Sequence, residues 1–526
     1  MANVVSARRL SRGGKLLRRL AMSMPVRRLV VVLGLAGLIV AGCEKPAQTP
    51  KNVHTRTIEP PASSRAGQGQ SERREAVDDQ DAGNSREVPA ASLPKTEISP
   101  HLVVERQYRP SDSRPRHNDE RLAHAGIRCF ESKRLRLYTD VAPQLAEPLP
   151  GLIDRAYDAW EAYFGPLPPD REKRDFQMTG YVMVDWQAFQ ELGLIPPDLP
   201  AFSAGRHRGA EFWIYDQKDD YYRRHLLIHE ATHCFMTIIP NVMASLPWYM
   251  EGMAELFGTH AADDEGHVQF RVMPDDPKKF AGFGRIRMIQ EDVRAGRLLD
   301  LADIFQIASN DFPKMHPYAW SWALCKFLDG HPRYRQRFRR IQHEVSAQEP
   351  QADFDRLFAA DWLDLRDEWL LFAANLCWGY DIERTVIDFA AGHELNAGSP
   401  GGIVDIAADR GWQSSGMLVE AGRRYSIHAE GRFKLAEVPR PWESEPQGVS
   451  IRYVGGRPLG MLLATIRNST AEADRGACSM LATIAVGRGC ELTPAATGTL
   501  YFRLNDAPNE LADNSGAVRV VVAAGD

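Results

Sequence analysis

"HLLIHEATHCFM" occupies residues 225–236 and sets His229, Glu230 and His233 in an apolar run. Residues four apart share a helix face, so His229 and His233 can aim two imidazoles at one ion. Glu230 projects about 100° away and still reaches a water beside that ion. A catalytic zinc needs three protein ligands and an open position. The third is offered by "LPWYMEGMAEL", where Glu251 follows His233 by eighteen positions. A helix starting around residues 245–247 can pack on the first and deliver it. Glu255 lies one turn further on. Like charges at that spacing cost a bare helix roughly 0.2–0.5 kcal/mol. A cation, or a hydrogen bond to a ligating histidine, removes the conflict. Glu251 is therefore assigned to zinc and Glu255 to the N–H of a ligand histidine. His225 shares the His229 face, beside the site or at the surface. Cys234 points off that face and is no ligand.

Around this pair, the order of elements reads as α+β. "LRLY", "FQMTGYVMVD" and "EFWIYD" read as strands, and "PGLIDRAYDAWEAYFG" as a helix stopped by Gly165. Residues 220–378 are mainly helical. After residue 400 the chain turns to short alternating segments between turn residues, a second, all-β domain expected to be a sandwich.

The first 42 residues carry eight Lys and Arg and no acid. Arg27 and Arg28 precede the apolar run Leu29–Val40, too short to span a bilayer well and fitting an export signal. Val40-Ala41-Gly42-Cys43 resembles the lipobox of bacterial lipoproteins, which implies cleavage before Cys43 and a membrane attachment through lipid on its thiol. An ordinary signal peptide fits the same stretch. Removing the eight positive charges from a net of −5 leaves −13, which argues against nucleic acid as a partner. Residues 43–122 have little to bury and read as a disordered tether. The expected plan is then a signal over 1–42, the tether, a zinc domain over 123–398 and the sandwich over 399–526. In an exported chain Cys478 and Cys490 could form a bridge.

The two zinc stretches resemble the gluzincin metallopeptidases, which include thermolysin and the membrane-alanyl aminopeptidases. The likeness is nearest to a group of bacterial gluzincin-like proteins with a Leu-Pro-Trp, Glu-Gly-x-Ala-Glu run. It covers about residues 130–375. The resemblance implies a zinc-dependent hydrolase acting on peptides, with His229, His233 and Glu251 as ligands and Glu230 as general base. Tyr318 matches the family's oxyanion donor by position; a core tyrosine at a helix start fits as well. "EFWIYD" resembles the edge strand that pairs with a peptide substrate, or is an ordinary sheet strand. The aminopeptidases' Gly-x-Met-Glu-Asn motif is missing, which leaves endo or exo cleavage open.

A second constellation lies in "NDAPNELADNSG", residues 505–516. Asp506, Asp513 and Asn514 could gather oxygens around a hard cation; such residues also make plain turns. Their order resembles the PA-IL type calcium-dependent galactose lectins, a likeness spanning about residues 403–523. It implies calcium held by Asp506, Asp513 and Asn514, with backbone carbonyls of Glu510 and Leu435, and a sugar touching Gln447 and the Asp506 site. Ser444 stands where the family has a histidine, and Leu435 where it has a tyrosine. The expected protein is an envelope-facing, lipid-anchored zinc peptidase with a calcium and carbohydrate-binding domain. The rival is a glycan-binding lipoprotein on an inert peptidase-like scaffold.

Overall fold

The computed structural model describes residues 108–525, apart from 240–245, 264, 313, 347, 396–400, 439 and 469–477. Cys43, expected to carry lipid, and the stretches expected to form the signal and most of the tether lie outside the described residues. Residues 108–122 are placed, so the boundary expected at residue 123 falls inside a helix, α1 (Asp119–His124). This segment is anchored by Arg114, which reaches Thr179, and by His117, which meets Tyr181 at 2.8 Å.

Five strands form the first sheet: β1 (Arg128–Glu131), β2 (Leu135–Thr139), β3 (Met178–Met183), β4 (Gly205–Arg208) and β5 (Glu211–Tyr215), in the order β1-β2-β3-β5-β4. Strands β2, β3 and β5 run parallel, while β4 folds back antiparallel on β5. Alternation sends Tyr138, Tyr181 and Trp213 to one face, stacked at 5.8 and 5.3 Å. Leu137, Val182, Phe212 and Ile214 enter the main core on the other. Both faces are covered, so the central strand β3 is buried throughout. The tight return at Gly209-Ala210 makes β4 the edge. "EFWIYD" is therefore an inner strand: of its two readings the ordinary sheet strand holds, and the edge implied by the peptidase resemblance is corrected.

Helices α2 (Pro143–Ala146), α3 (Leu149–Phe164) and α4 (Trp186–Glu191) connect these strands. Gly165 ends α3 with φ 86°, as its place after the apolar stripe predicts. Then come α5 (Asp220–Met236) and α6 (Pro247–Gly258), a small hairpin of β6 (His260–Ala262) and β7 (Val268–Phe270), α7 (Arg285–Arg294), α8 (Leu301–Phe305) and α9 (Met315–Gly330). The sequence is helical onwards through α10 (Arg335–Glu344), α11 (Pro350–Phe358) and α12 (Trp362–Ala374). Gly252 lets α6 lie close on α9, since a Cβ there would stand 2.6 Å from the Ser321 carbonyl oxygen.

The all-β part has β8 (His393–Glu394), β9 (Gly402–Ala407), β10 (Gln413–Val419), β11 (Tyr425–Glu430), β12 (Phe433–Ala436), β13 (Trp442–Ser444), β14 (Gln447–Val454), β15 (Arg457–Arg467), β16 (Ile484–Ala485), β17 (Gly489–Leu492), β18 (Gly498–Leu504) and β19 (Ser515–Ala524). One sheet runs β14-β15-β18-β10-β8 with β16 on β15; the other runs β13-β12-β19-β11-β17 with β9 on β19. Their inner faces share one core that includes Ile406, Tyr425, Leu462, Phe502 and Val520. Alternation is strict along β11, where Tyr425, Ile427 and Ala429 are buried and the residues between them exposed. β8 pairs with β10, so this unit recruits residues from before the expected boundary. Arg467 ties it to the helices through Asp364 and Asp367, at 2.7 and 2.8 Å. Cys478 and Cys490 are both free. Cys478 packs into the helical core and Cys490 sits on β17 against Ile427, so no bridge forms.

Candidate metal centre

From His225 to Met236, α5 is buried on every face. A helix so enclosed must satisfy its polar side chains internally. That demand brings His225, His229, Glu230 and His233 into one polar cluster with α6, α7 and β4.

His233 Nε2 lies 3.2 Å from His229 Nε2 and 3.2 Å from Glu251 Oε2, and His229 Nε2 lies 3.4 Å from the same oxygen. Three ligand-type atoms thus form a near-equilateral triangle. Tetrahedral bonds of about 2.0–2.1 Å to nitrogen and oxygen set ligand atoms roughly 3.3–3.4 Å apart. The donor set and its spacing fit zinc. Burial works against the charge of Glu251, yet His233 and His229 hold its carboxyl well below the usual range. Its side chain keeps 22 % exposure, against 5 % and 3 % for the two histidines, so the cluster opens on the Glu251 side.

Glu255 stands behind the triangle. Its Oε1 lies 3.5 Å from His229 Nδ1 and its Oε2 3.2 Å from His225 Nε2. Glu255 thus faces the far nitrogen of His229, the position from which a carboxylate would orient a ligand ring. His225 is buried and shares the same carboxylate. His225, His229 and Glu255 also converge as a metal-type group. There, however, Arg285 from α7 already supplies the positive charge, with Nε 3.0 Å from Oε2 and Nη2 2.8 Å from Oε1. Burial opposes ionisation of Glu255, but Arg285 and His225 outweigh it and keep the carboxyl well below its ordinary range.

Glu230 is buried beside the triangle. Its Oε2 lies 3.4 Å from His207 Nδ1 on β4. Its Oε1 fills the space above Gly205, where a Cβ would come within 2.3 Å. Tyr318, at the start of α9, sets its ring 5.9 Å from that of His229. Burial, with Glu251, Glu230 and Glu255 close by, pushes its hydroxyl far above the ordinary phenol range, so it keeps its proton. Cys234 turns away and touches the Glu211 carbonyl.

Sequence reasoning missed His207, Gly205 and Arg285. No spacing links them to the zinc stretches, and only the packing of β4 and α7 does.

In the sandwich, Asp506 and Asn514 meet: Asn514 Nδ2 donates to Asp506 Oδ2 at 2.9 Å and to the Ala408 carbonyl at 3.1 Å. Asn514 Oδ1 is buried without a partner among the described residues. Burial pushes Asp506 up to about 6. An orphaned buried oxygen beside a buried carboxylate is chemistry that a hard cation accepts, though calcium takes about 6–8 oxygens. Leu435 sits at a β-bulge between Lys434 and Ala436, out of the β12–β13 ladder. Asp513 is exposed, and the Glu510 carboxylate is taken by Arg452. Among the described residues, no group of three His, Cys, Asp or Glu side chains converges in this loop. Gln447 lies opposite Met461, whose carbonyl accepts from Asn505 N, so only β15 separates it from the Asp506 loop. Its Oε1 accepts from Arg488 at 2.8 Å. Ser444 is buried, its hydroxyl on the Glu445 carbonyl.

No family model matches the chain, and no curated protein matches it. Among solved structures, one described as "EclA N-terminal domain; PllA-like lectin" is 21% identical to it. That match covers 23% of this chain and 95% of the other, with a TM-score of 0.18. At that score the likeness assigns neither activity nor ligand.

Proposed function

We propose that this chain is a lipid-anchored zinc metallopeptidase that hydrolyses peptide bonds of exported or cell-envelope proteins, and that its sandwich is a calcium-dependent carbohydrate-binding domain that targets it. The observation that carries the first part is the triangle of His229, His233 and Glu251, with Glu230 and Tyr318 around it. A purely structural zinc site has no use for a buried carboxylate at the Glu230 position.

His229, His233 and Glu251 would hold zinc, which supplies a Lewis acid that acidifies water and polarises a carbonyl. The remaining work falls to the chain's own groups. The open edge of β4 offers backbone N–H and C=O groups to an extended peptide. Glu230 takes the proton of the attacking water and passes it to the leaving amine. Tyr318, kept protonated, donates to the oxygen that gains charge. Glu255, fixed by Arg285, holds the His229 ring in place.

The sandwich reading rests on Asp506, the orphaned Asn514 oxygen and the bulge at Leu435, with Gln447 one strand away. The N-terminal lipid rests on the sequence around Cys43. Cleavage of unfolded casein tests the enzyme: it should stop with a zinc chelator and in Glu230→Gln, while that variant keeps its zinc. Casein cleaved equally well by Glu230→Gln would remove Glu230 as the base. On a glycan array, retention should need calcium and vanish in Asp506→Ala; unchanged retention would remove this cation site.

A further inference from the structure

Among the described residues, β4 brings the sheet to the site. Its pairing with β5 sets Gly205 opposite Ile214 and His207 opposite Phe212. Arg206 and Arg208 are exposed, while Gly205 and His207 are half-buried and meet α5. The His207 ring stacks on that of His233, centroids 4.4 Å apart at 23°. Its Nδ1 stands 3.4 Å from Glu230 Oε2, and Gly205 makes room for Glu230 Oε1. One short strand thus receives both oxygens of the carboxylate and braces a neighbouring ring. Catalytic hydrogen bonds are often this long before substrate binds and tighten afterwards.

We propose that His207 is a positioning residue for the base: its Nδ1–H holds the Glu230 carboxylate in the orientation from which it takes a proton, and its ring is steadied by stacking on His233. The inference rests on the hydrolytic reading of the site and adds to it a residue outside the two zinc helices. The need is geometric. Glu230 lies off the face that carries His229 and His233, and a misplacement of about 1 Å at a reacting group can cost about 100-fold in rate.

Three substitutions separate the atoms. His207→Phe keeps a ring to stack and removes both nitrogens. Asn places an amide N–H near the old Nδ1, and Gln places it near the old Nε2. In the full chain loaded with zinc, His207→Phe should lower kcat on casein about 10-fold or more with KM within about 3-fold. His207→Asn should recover most of that loss and His207→Gln should not. A second readout needs no turnover. Acetohydroxamate chelates zinc and presents an acidic proton to the neighbouring carboxylate. His207→Phe should weaken its binding about 10-fold in the parent and leave it unchanged in the Glu230→Gln background, a coupling that a double-mutant cycle reads.

Parent-like kcat in His207→Phe, equal behaviour of Asn and Gln, loss of zinc, or a hydroxamate effect that persists with Glu230→Gln would each overturn the assignment. A parent that binds zinc and hydroxamate but leaves casein intact overturns the hydrolytic reading instead. The hydroxamate cycle then decides His207 by itself: coupling to Glu230 supports the assignment and additivity overturns it.

Discussion

Arg285→Met removes the cation that neutralises Glu255. Both groups are 2 % exposed and joined by two hydrogen bonds, at 2.8 and 3.0 Å. Tyr222, at 3.2 Å from Arg285 Nη2, brings no charge. Breaking a buried pair by taking one partner costs about 3–5 kcal/mol, because the other charge is stranded. Removing both with apolar groups of similar volume is often close to neutral. Arg285→Met should therefore lower unfolding stability by about 3–5 kcal/mol, and the double variant Arg285→Met/Glu255→Leu should recover most of it. Zinc affinity should move the other way. Arg285→Met leaves Glu255 to orient His229, so zinc still binds. The double variant strips His229 of that partner and should bind zinc about 10–100-fold more weakly. Urea midpoints with and without zinc, and competition against a chromophoric chelator, give both numbers. If the double variant is as unstable as the single, Glu255 does not depend on Arg285; if it keeps parent affinity for zinc, Glu255 does not support the site.

Two further outcomes follow from the same geometry. Tyr318→Phe should lower kcat on casein about 100–1000-fold with zinc content unchanged, as the loss of an oxyanion donor does; parent-like kcat would reduce Tyr318 to a wall against His229. His260 is buried and its pKa is lowered to about 4, against about 6.5 in an unfolded chain. Its neutral form is favoured in the fold, so stability is fully present above pH 6.5 and drains away as pH falls towards 4. His260 stacks on Tyr221, centroids 4.9 Å apart, a contact that Phe can keep. Between pH 7.5 and 5 the parent should lose about 2 kcal/mol that His260→Phe does not lose, and parallel pH profiles of the two would contradict it.

Much of the candidate metal centre was legible because it lies on two helices. Spacing of four fixes which imidazoles share a face, and His229 and His233 do converge. Glu251 and Glu255 could be given separate roles because a bare helix resists two like charges one turn apart, and the structure sets Glu251 against both His229 and His233 and Glu255 behind His229. What was not legible depends on packing between distant elements. Arg285 comes from a helix whose only sequence signal is amphipathic. His207 and Gly205 belong to a four-residue strand too short to show a period. Alternation says nothing of which side of a strand is paired, so "EFWIYD" reads equally as an edge or an ordinary sheet strand until the Gly209 turn sets β4 outside it. In the all-β part, Asp506 and Asn514 met as their order suggested. Asp513 stayed in solvent and Cys478 joined the helical core, since a turn's composition does not dictate where its side chains point.

X-ray absorption on the metal of the purified full chain tests the central claim most directly. The account predicts about one zinc per chain, bound by two imidazole nitrogens with the remaining ligands oxygen, at about 2.0–2.1 Å. A chain that holds no zinc after dialysis against the metal, or a shell containing sulfur at about 2.3 Å, would contradict it.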